Sequence, residues 1–255
     1  MREYEDRIVE FLLSEVIPSH CIPLAYVLVG QRAQETFPID APYKIRGIHI
    51  IESQELLAHP RFRDDWADSA VKHYDITFEP TDSASDAHLS VESYEWWRFL
   101  DEMIRGTQSC YELVFMPTVY EDRNVMLELT PLLLNMVSKS GLQLKARAFS
   151  MPNPKMARRA LTALFQAEKL LKQGDFEWDE KALVAEFGND IDRKIFIGEF
   201  DFSNPIMFEM FLEHLNRIES RVKKAWLKSE LPPGPPRNVI KRADTIIKRW
   251  RLRLI

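Results

Sequence analysis

Two carboxylates at i and i+2 can hold divalent cations together when they lie on a strand, because alternate residues point to one face. The sequence places such a pair at Asp190-Ile191-Asp192, directly after Gly188-Asn189, a setting that predicts a helix cap or turn instead of a metal site. Two further carboxylates, Glu35 and Asp40, share one loop, and Glu112 sits in an apolar run. The six histidines, His20, His49, His59, His73, His88 and His214, fall in neither HExxH nor HxH spacing, which argues against a histidine metal cluster. His49 is expected to be a hydrogen-bonded strand residue. Eight dispersed glycines leave no GxxxxGK(S/T) and no GxGxxG, and there is no GxSxG. Cys21 and Cys110 lack metal spacing and read as small buried apolar residues, not as a disulfide.

The elements that position these residues follow from hydrophobic period. Ile8, Phe11, Leu12 and Val16 share a helical face, so residues 3–17 are predicted as a helix that Pro18 ends. Leu24 to Val29 is short, apolar and branched, bounded by Pro23 and Gly30, and reads as a buried strand. A loop at 31–42 carries Pro38 and Pro42, and Tyr43 to Ile51 is a second strand. A short helix from Ser53 to Leu57, a strand over 72–79 and a loop at 81–87 come next. Leu89 to Glu92 is predicted as a short strand leading into a helix, Tyr94 to Ile104, that ends at Gly106. Tyr111 to Met116 is predicted as another strand, stopped by Pro117. Adjacent Trp96 and Trp97 cannot share one helical face, and packing of both at a domain junction is expected. Beyond that, 124–137, 155–172, 205–228 and 239–253 all have helical period. Strands mixed with helices, followed by helices alone, argue an α+β domain over 1–120 and a helical domain over 121–255.

Gly30-Gln31-Arg32-Ala33, then Tyr43-Lys44-Ile45-Arg46-Gly47-Ile48, is similar to the signature of polymerase-beta-type nucleotidyltransferases, the closest branch being the one associated with RNA repair. That branch reads strand, Gly-Ser-Arg-Ala-Tyr-Gly, loop, Ser-Asp-x-Asp, then a short apolar run with Arg-Gly. Residues 96–115, 158–174 and 221–236 resemble its later helix, polar turn, Glu-Leu-bearing strand and C-terminal helices. The resemblance implies a mixed sheet with flanking helices, followed by a helical domain. It also implies a reaction in which two metal ions activate the attacking oxygen and stabilise the leaving pyrophosphate.

Aligned on Gly30 and Arg46-Gly47, the Ser-Asp-x-Asp positions are Ala41-Pro42-Tyr43-Lys44, so both metal aspartates are absent. Gln31 replaces the phosphate-contacting serine, and the later polar turn is altered to Gly106-Thr107-Gln108-Ser109. Gly30, Arg32, Ala33, Arg46, Gly47 and Glu112 remain. The resemblance therefore implies a nucleotidyltransferase-like protein without catalysis, binding a partner protein, a nucleotide or nucleic acid. The nucleotide-binding residues would be Gly30, Gln31, Arg32, Lys44 and Arg46, with no metal and no cofactor. Lys44 is expected to form a salt bridge that steadies the vacant pocket, the alternative being a direct contact to phosphate. A competing reading is an active Mg²⁺-dependent enzyme that transfers a nucleotidyl group from an NTP to RNA, protein or a small molecule. Its rebuilt site would use Asp40, Glu35 or Glu112. A third reading is a structural subunit.

Bulk properties set the remaining bounds. The chain has 255 residues, 45% hydrophobic and 29% charged, as in water-soluble globular proteins. No apolar run is long enough to cross a bilayer, and acidic residues at the N-terminus do not suit a signal peptide, so a cytoplasmic protein is expected. Residues 237–255 hold seven basic residues against Asp244 alone, a charge of +6 that leaves −11 on the rest of a chain of net −5. Val239, Ile246, Ile247, Trp250 and Leu254 give this segment an apolar stripe. It is expected to be an amphipathic helix packed on the chain's own helical domain, with a partner protein or a nucleic-acid backbone as the other candidates. The oligomeric state is not encoded in these features.

Overall fold

The computed structural model describes residues 2–19, 21–29, 43–51, 70–77, 86–140, 142 and 153–253. The loop expected at 31–42, the helix expected over 53–57 and residues 81–85 of the loop expected at 81–87 lie outside these residues, while 86 and 87 are strand instead of loop. The fold is α+β, with a mixed sheet flanked by helices and a C-terminal helical region. The chain separates into two compact units, residues 1–140 with 234–255, and residues 141–233. These units do not coincide with the division expected at residue 120. Helix α9 (Arg237–Arg253) belongs to the first unit, where it packs on α4 (Arg123–Met136). The order of elements along the sequence carries no sign of that return.

The first unit opens with α1 (Arg2–Phe11), whose helix loosens into a π-helical turn over Leu12–Val16, closed by Ile17 N–H donating to Leu12 O at 2.9 Å. The predicted single helix is thus two pieces, the second wide enough to bury Leu12 and Val16. Among the described residues five strands follow, in the spatial order β3-β4-β2-β1-β5. They are β1 (Cys21–Val29), β2 (Tyr43–Ile51), β3 (Ala70–Thr77), β4 (Asp86–Glu95) and β5 (Thr118–Glu121). β2 and β4 run parallel, and every other pair is antiparallel. β1 continues past Pro23, the expected boundary, through a bulge between Pro23 and Ala25. A bulge is where a sheet tolerates a residue without an N–H. Beside it Leu24 O accepts the N–H of Asp122, which caps α4.

Helices α2 (Trp96–Arg105) and α3 (Gln108–Phe115) complete this part of the chain. Gly106 ends α2 at φ 71°, in the left-handed region that suits glycine. Residues 111–116, expected as a strand, lie in α3 and its C-terminus, and the strand after them is β5, beyond Pro117. A short apolar run reads equally as strand or buried helix. Here Cys110, Tyr111 and Leu113 are buried, and the Tyr111 hydroxyl donates to Ser138 O at 2.8 Å. Trp96 is fully buried whereas Trp97 is 44% exposed, so only the first of the pair is core. Cys21 and Cys110 are both buried and not bonded to each other, and burial pushes the Cys110 thiol up to about 12.

The second unit is helical: α5 (Pro154–Gln173), α6 (Glu180–Phe187), α7 (Asp190–Ile197) and α8 (Pro205–Lys228). Its core joins Leu161, Leu164 and Phe165 of α5 to Phe211, Leu215 and Ile218 of α8. Glu168, with no exposed surface, is bonded by Lys172 at 2.6 Å and by Arg221 Nε at 2.7 Å, which satisfies its charge inside the bundle. Among the described residues no helix is long and apolar enough to cross a membrane.

Candidate functional site

β2 divides its residues between two faces, one holding a buried polar assembly and the other a half-buried one. On one face lie Ile45, Gly47 and His49, in register with Val91, Ser93 and Glu95 of β4. There Ile8 of α1 and Leu12 of the π-helical turn pack onto Tyr26, Ile45, Leu89 and Val91. His49 Nδ1 is 2.7 Å from Ser93 Oγ, which is 2.8 Å from the Tyr26 hydroxyl. His49 is 4% exposed and hydrogen-bonded within the sheet through Nδ1. Burial pushes the Tyr26 phenol above its ordinary range. Gly47 is required here. A Cβ added to it would lie 2.1 Å from Cε1 of the Tyr26 ring, which crosses directly over the glycine.

The opposite face carries Lys44 and Arg46 of β2, in register with Ser90 and Glu92 of β4. Arg46 Nε donates to Glu92 Oε2 at 2.8 Å, and Arg46 also bonds the carboxylate of Glu112, delivered by α3. The Tyr94 hydroxyl donates to the other oxygen of Glu92 at 2.5 Å, and Ser109 hydrogen-bonds Tyr94. Burial, reinforced by the bond to Glu92, raises the Tyr94 phenol above its ordinary range. Burial disfavours the Arg46 charge, yet the carboxylates of Glu112 and Glu92 outweigh it and hold the guanidinium more firmly protonated than usual. Arg46→Met would leave two half-buried carboxylates facing each other. It is expected to lower stability by roughly 1.5–3 kcal/mol in urea unfolding, the range for a charged hydrogen bond.

Lys44 is exposed and makes no ion pair with another described residue, in contrast to the salt bridge expected for it. Gly30, Gln31, Arg32, Glu35 and Asp40 lie outside the described residues, so of the expected site the structure brings together Lys44, Arg46 and Glu112. Glu112 comes from a helix, not from a strand. Glu92 and Tyr94 were not singled out from sequence. The signal available was the alternation Ser90, Glu92, Tyr94 along β4, which acquires meaning only once β4 pairs with β2. Among the described residues no group of three or more His, Cys, Asp or Glu side chains is arranged to hold a metal ion.

The aspartate pair of the second unit has a structural role, as expected. Asn189 caps α7 and Asp192 completes the capping box, accepting the Asn189 N–H at 2.8 Å. Asp192 also pairs with His214 Nε2 of α8 at 2.8 Å and is fully buried, whereas the Asp190 side chain is 92% exposed. Asp192→Ala is therefore expected to cost about 2 kcal/mol in urea unfolding, at the upper end of cap losses. Asp190→Ala should stay within about 0.5 kcal/mol. Two equal losses would contradict the capping assignment.

No protein-family model matches the chain, and no curated protein matches it. Among solved structures, a nucleotidyltransferase-like protein from Exiguobacterium sibiricum 255-15 is similar at a TM-score of 0.32 and 11% identity, over 96% of this chain and 75% of that one. A likeness at that score assigns neither a fold nor a family.

Proposed function

We propose that this chain is a nucleotidyltransferase-like protein that has lost the metal-binding aspartate pair and acts by binding without transfer. The observation that carries the reading is the arrangement of charge on one face of β2. Lys44 stands where the signature has an aspartate, and the carboxylates that reach this face among the described residues, Glu92 and Glu112, both bond Arg46. Mg²⁺ requires hard oxygen ligands that are not already neutralised by a cation. This donor set does not fit a magnesium pair. An exposed ammonium suits a phosphate instead, as a compact point charge with three donors. Lys44, whose strand partner Val29 immediately precedes Gly30-Gln31-Arg32 in the sequence, is the proposed anion contact together with those residues, and Arg46 holds the strand and α3 in place behind it. The protein is read as cytoplasmic.

Calorimetric titration with ATP tests this reading. Affinity should change by no more than roughly twofold when EDTA replaces Mg²⁺, and Lys44→Ala should weaken it at least about tenfold. Tightening by Mg²⁺ of about tenfold or more would favour the rebuilt site built on Asp40, Glu35 or Glu112. No heat with any nucleoside triphosphate would favour a structural subunit.

A further inference from the structure

Helix α9 is anchored to its own unit on one side and cationic on the other. Arg251, 8% exposed, bonds the buried carboxylate of Glu95, and Arg249 bonds Glu128 of α4. Ala243 and Ile247, earlier on the same helix, are fully buried. Arg237, Lys241 and Lys248 stand at i, i+4 and i+11, within a narrow arc of the helix, and all three are exposed. They extend over about 16 Å of helix axis. Lys248 pairs with Asp244 at 2.7 Å, while Arg237 and Lys241 make no ion pair with another described residue.

At the Lys248 end of this stripe stands Trp97. Lys248 Nζ lies 5.5 Å from the centroid of the Trp97 ring and the Arg251 guanidinium 5.6 Å from it. The indole nonetheless keeps 44% of its surface exposed. A row of cations ending on an exposed aromatic ring offers two kinds of contact together. The cations attract a chain of phosphates, and the ring offers a stacking surface that every base can use. An acidic peptide would use the cations and leave the indole without a planar partner. The rest of the chain carries a net charge of −11, so the excess of positive charge that attracts a polyanion is concentrated on this segment.

We propose that the Arg237, Lys241 and Lys248 stripe of α9, together with Trp97, binds a single-stranded polynucleotide. Backbone phosphates lie along the stripe, and Lys248 exchanges Asp244 for one of them. A base stacks on the exposed part of the Trp97 ring. This surface is distinct from the proposed anion contact at Lys44 and does not depend on it.

The test is fluorescence anisotropy with the full chain and a labelled oligo(dT) of about twelve nucleotides ending in a 5′-hydroxyl. This probe has no triphosphate, so binding to it and binding of ATP are separate results. Three phosphate contacts predict a log–log salt slope near about −2, and a fall in affinity of roughly twentyfold between about 50 and 200 mM salt. Arg237→Ala with Lys241→Ala should bring the slope to about −0.7. Trp97→Leu should weaken binding roughly 5- to 150-fold while leaving the slope unchanged. The doubly substituted chain changes only exposed positions, so it reports even if Trp97→Leu disturbs the fold. Absence of binding at about 50 mM salt would overturn the proposal, as would a salt slope that the double substitution leaves unchanged. Polyglutamate of equal charge binding as tightly as the oligonucleotide would overturn it in favour of an acidic protein partner.

Discussion

Arg251→Ala should lower stability by about 3–5 kcal/mol, the cost of leaving a buried charge without its partner. The abandoned group is Glu95, 1% exposed at the end of β4, which also caps α2 by accepting the Trp97 N–H at 2.7 Å. Removing both charges should be far less damaging than removing Arg251 alone, since a buried ion pair contributes little over a well-packed apolar pair. Glu95→Gln with Arg251→Met, compared with each single change in urea unfolding, measures that coupling.

The same pair gives a pH dependence with a defined sign. Burial raises the Glu95 carboxyl above its ordinary value, although Arg251 and the Trp97 N–H both act to lower it. A carboxyl raised on folding takes up a proton in the native state. Its contribution to stability is full below the ordinary carboxyl range and is lost as pH rises through the raised value. The advantage of the natural protein over Glu95→Gln should therefore be largest in acid and shrink towards neutrality. In Arg251→Ala the carboxyl rises further, so the decline should extend to higher pH. A stability difference that grew with pH would contradict the assignment of burial as the dominant influence.

Gly47→Ala is expected to cost about 3 kcal/mol, at the top of the overpacking range. Its Cβ would stand 2.1 and 2.2 Å from two carbons of a Tyr26 ring that is itself 1% exposed. The ring cannot simply swing aside, because its hydroxyl is bonded to Ser93 and its edge packs near Tyr120, 6.3 Å away between centroids. Tyr26→Ala alone should also be destabilising, by about 3–5 kcal/mol as for other large-to-small core changes. Combined, the two changes should cost less than their sum by about 1 kcal/mol or more, because the added methyl then enters the space the ring vacates. Strict additivity would mean that the close approach is not what demands a glycine.

This interlock accounts for one part of the Arg-Gly pattern in physical terms. Arg46 ties β2 to β4 and α3 on one face, while Gly47 admits the Tyr26 ring on the other. Both residues serve the packing of the sheet.

β2 was fully legible from sequence, over Tyr43 to Ile51, because a proline precedes it and its four isoleucines partly alternate with polar residues. The long helices were legible because their apolar period runs for four or more turns and their ends carry recognisable caps, such as Asn153 before Pro154 and Asn204 before Pro205. Residues 111–116 were not, because a six-residue apolar run contains too little period to separate helix from strand. The site was legible only in part. Arg46 and Glu112 were visible as isolated residues, but their meeting point, Glu92, depends on the parallel pairing of β2 with β4. That pairing skips over β3 and leaves no local trace in the sequence. Packing of α9 on a helix within 121–255 was expected, but its particular partners were hidden for the same reason. Its stabilising contacts reach Glu95 and Glu128, more than a hundred residues earlier in the chain.

The central claim is that nucleotidyl transfer has been lost while the scaffold remains. It is tested most directly by incubating the protein with Mg²⁺ or Mn²⁺ and each α-labelled nucleoside triphosphate, offering RNA, protein and small-molecule acceptors. The account predicts no labelled product above a protein-free control with any acceptor. Metal-dependent label transfer that disappears in Asp40→Ala with Glu112→Ala would contradict it and establish a rebuilt carboxylate site.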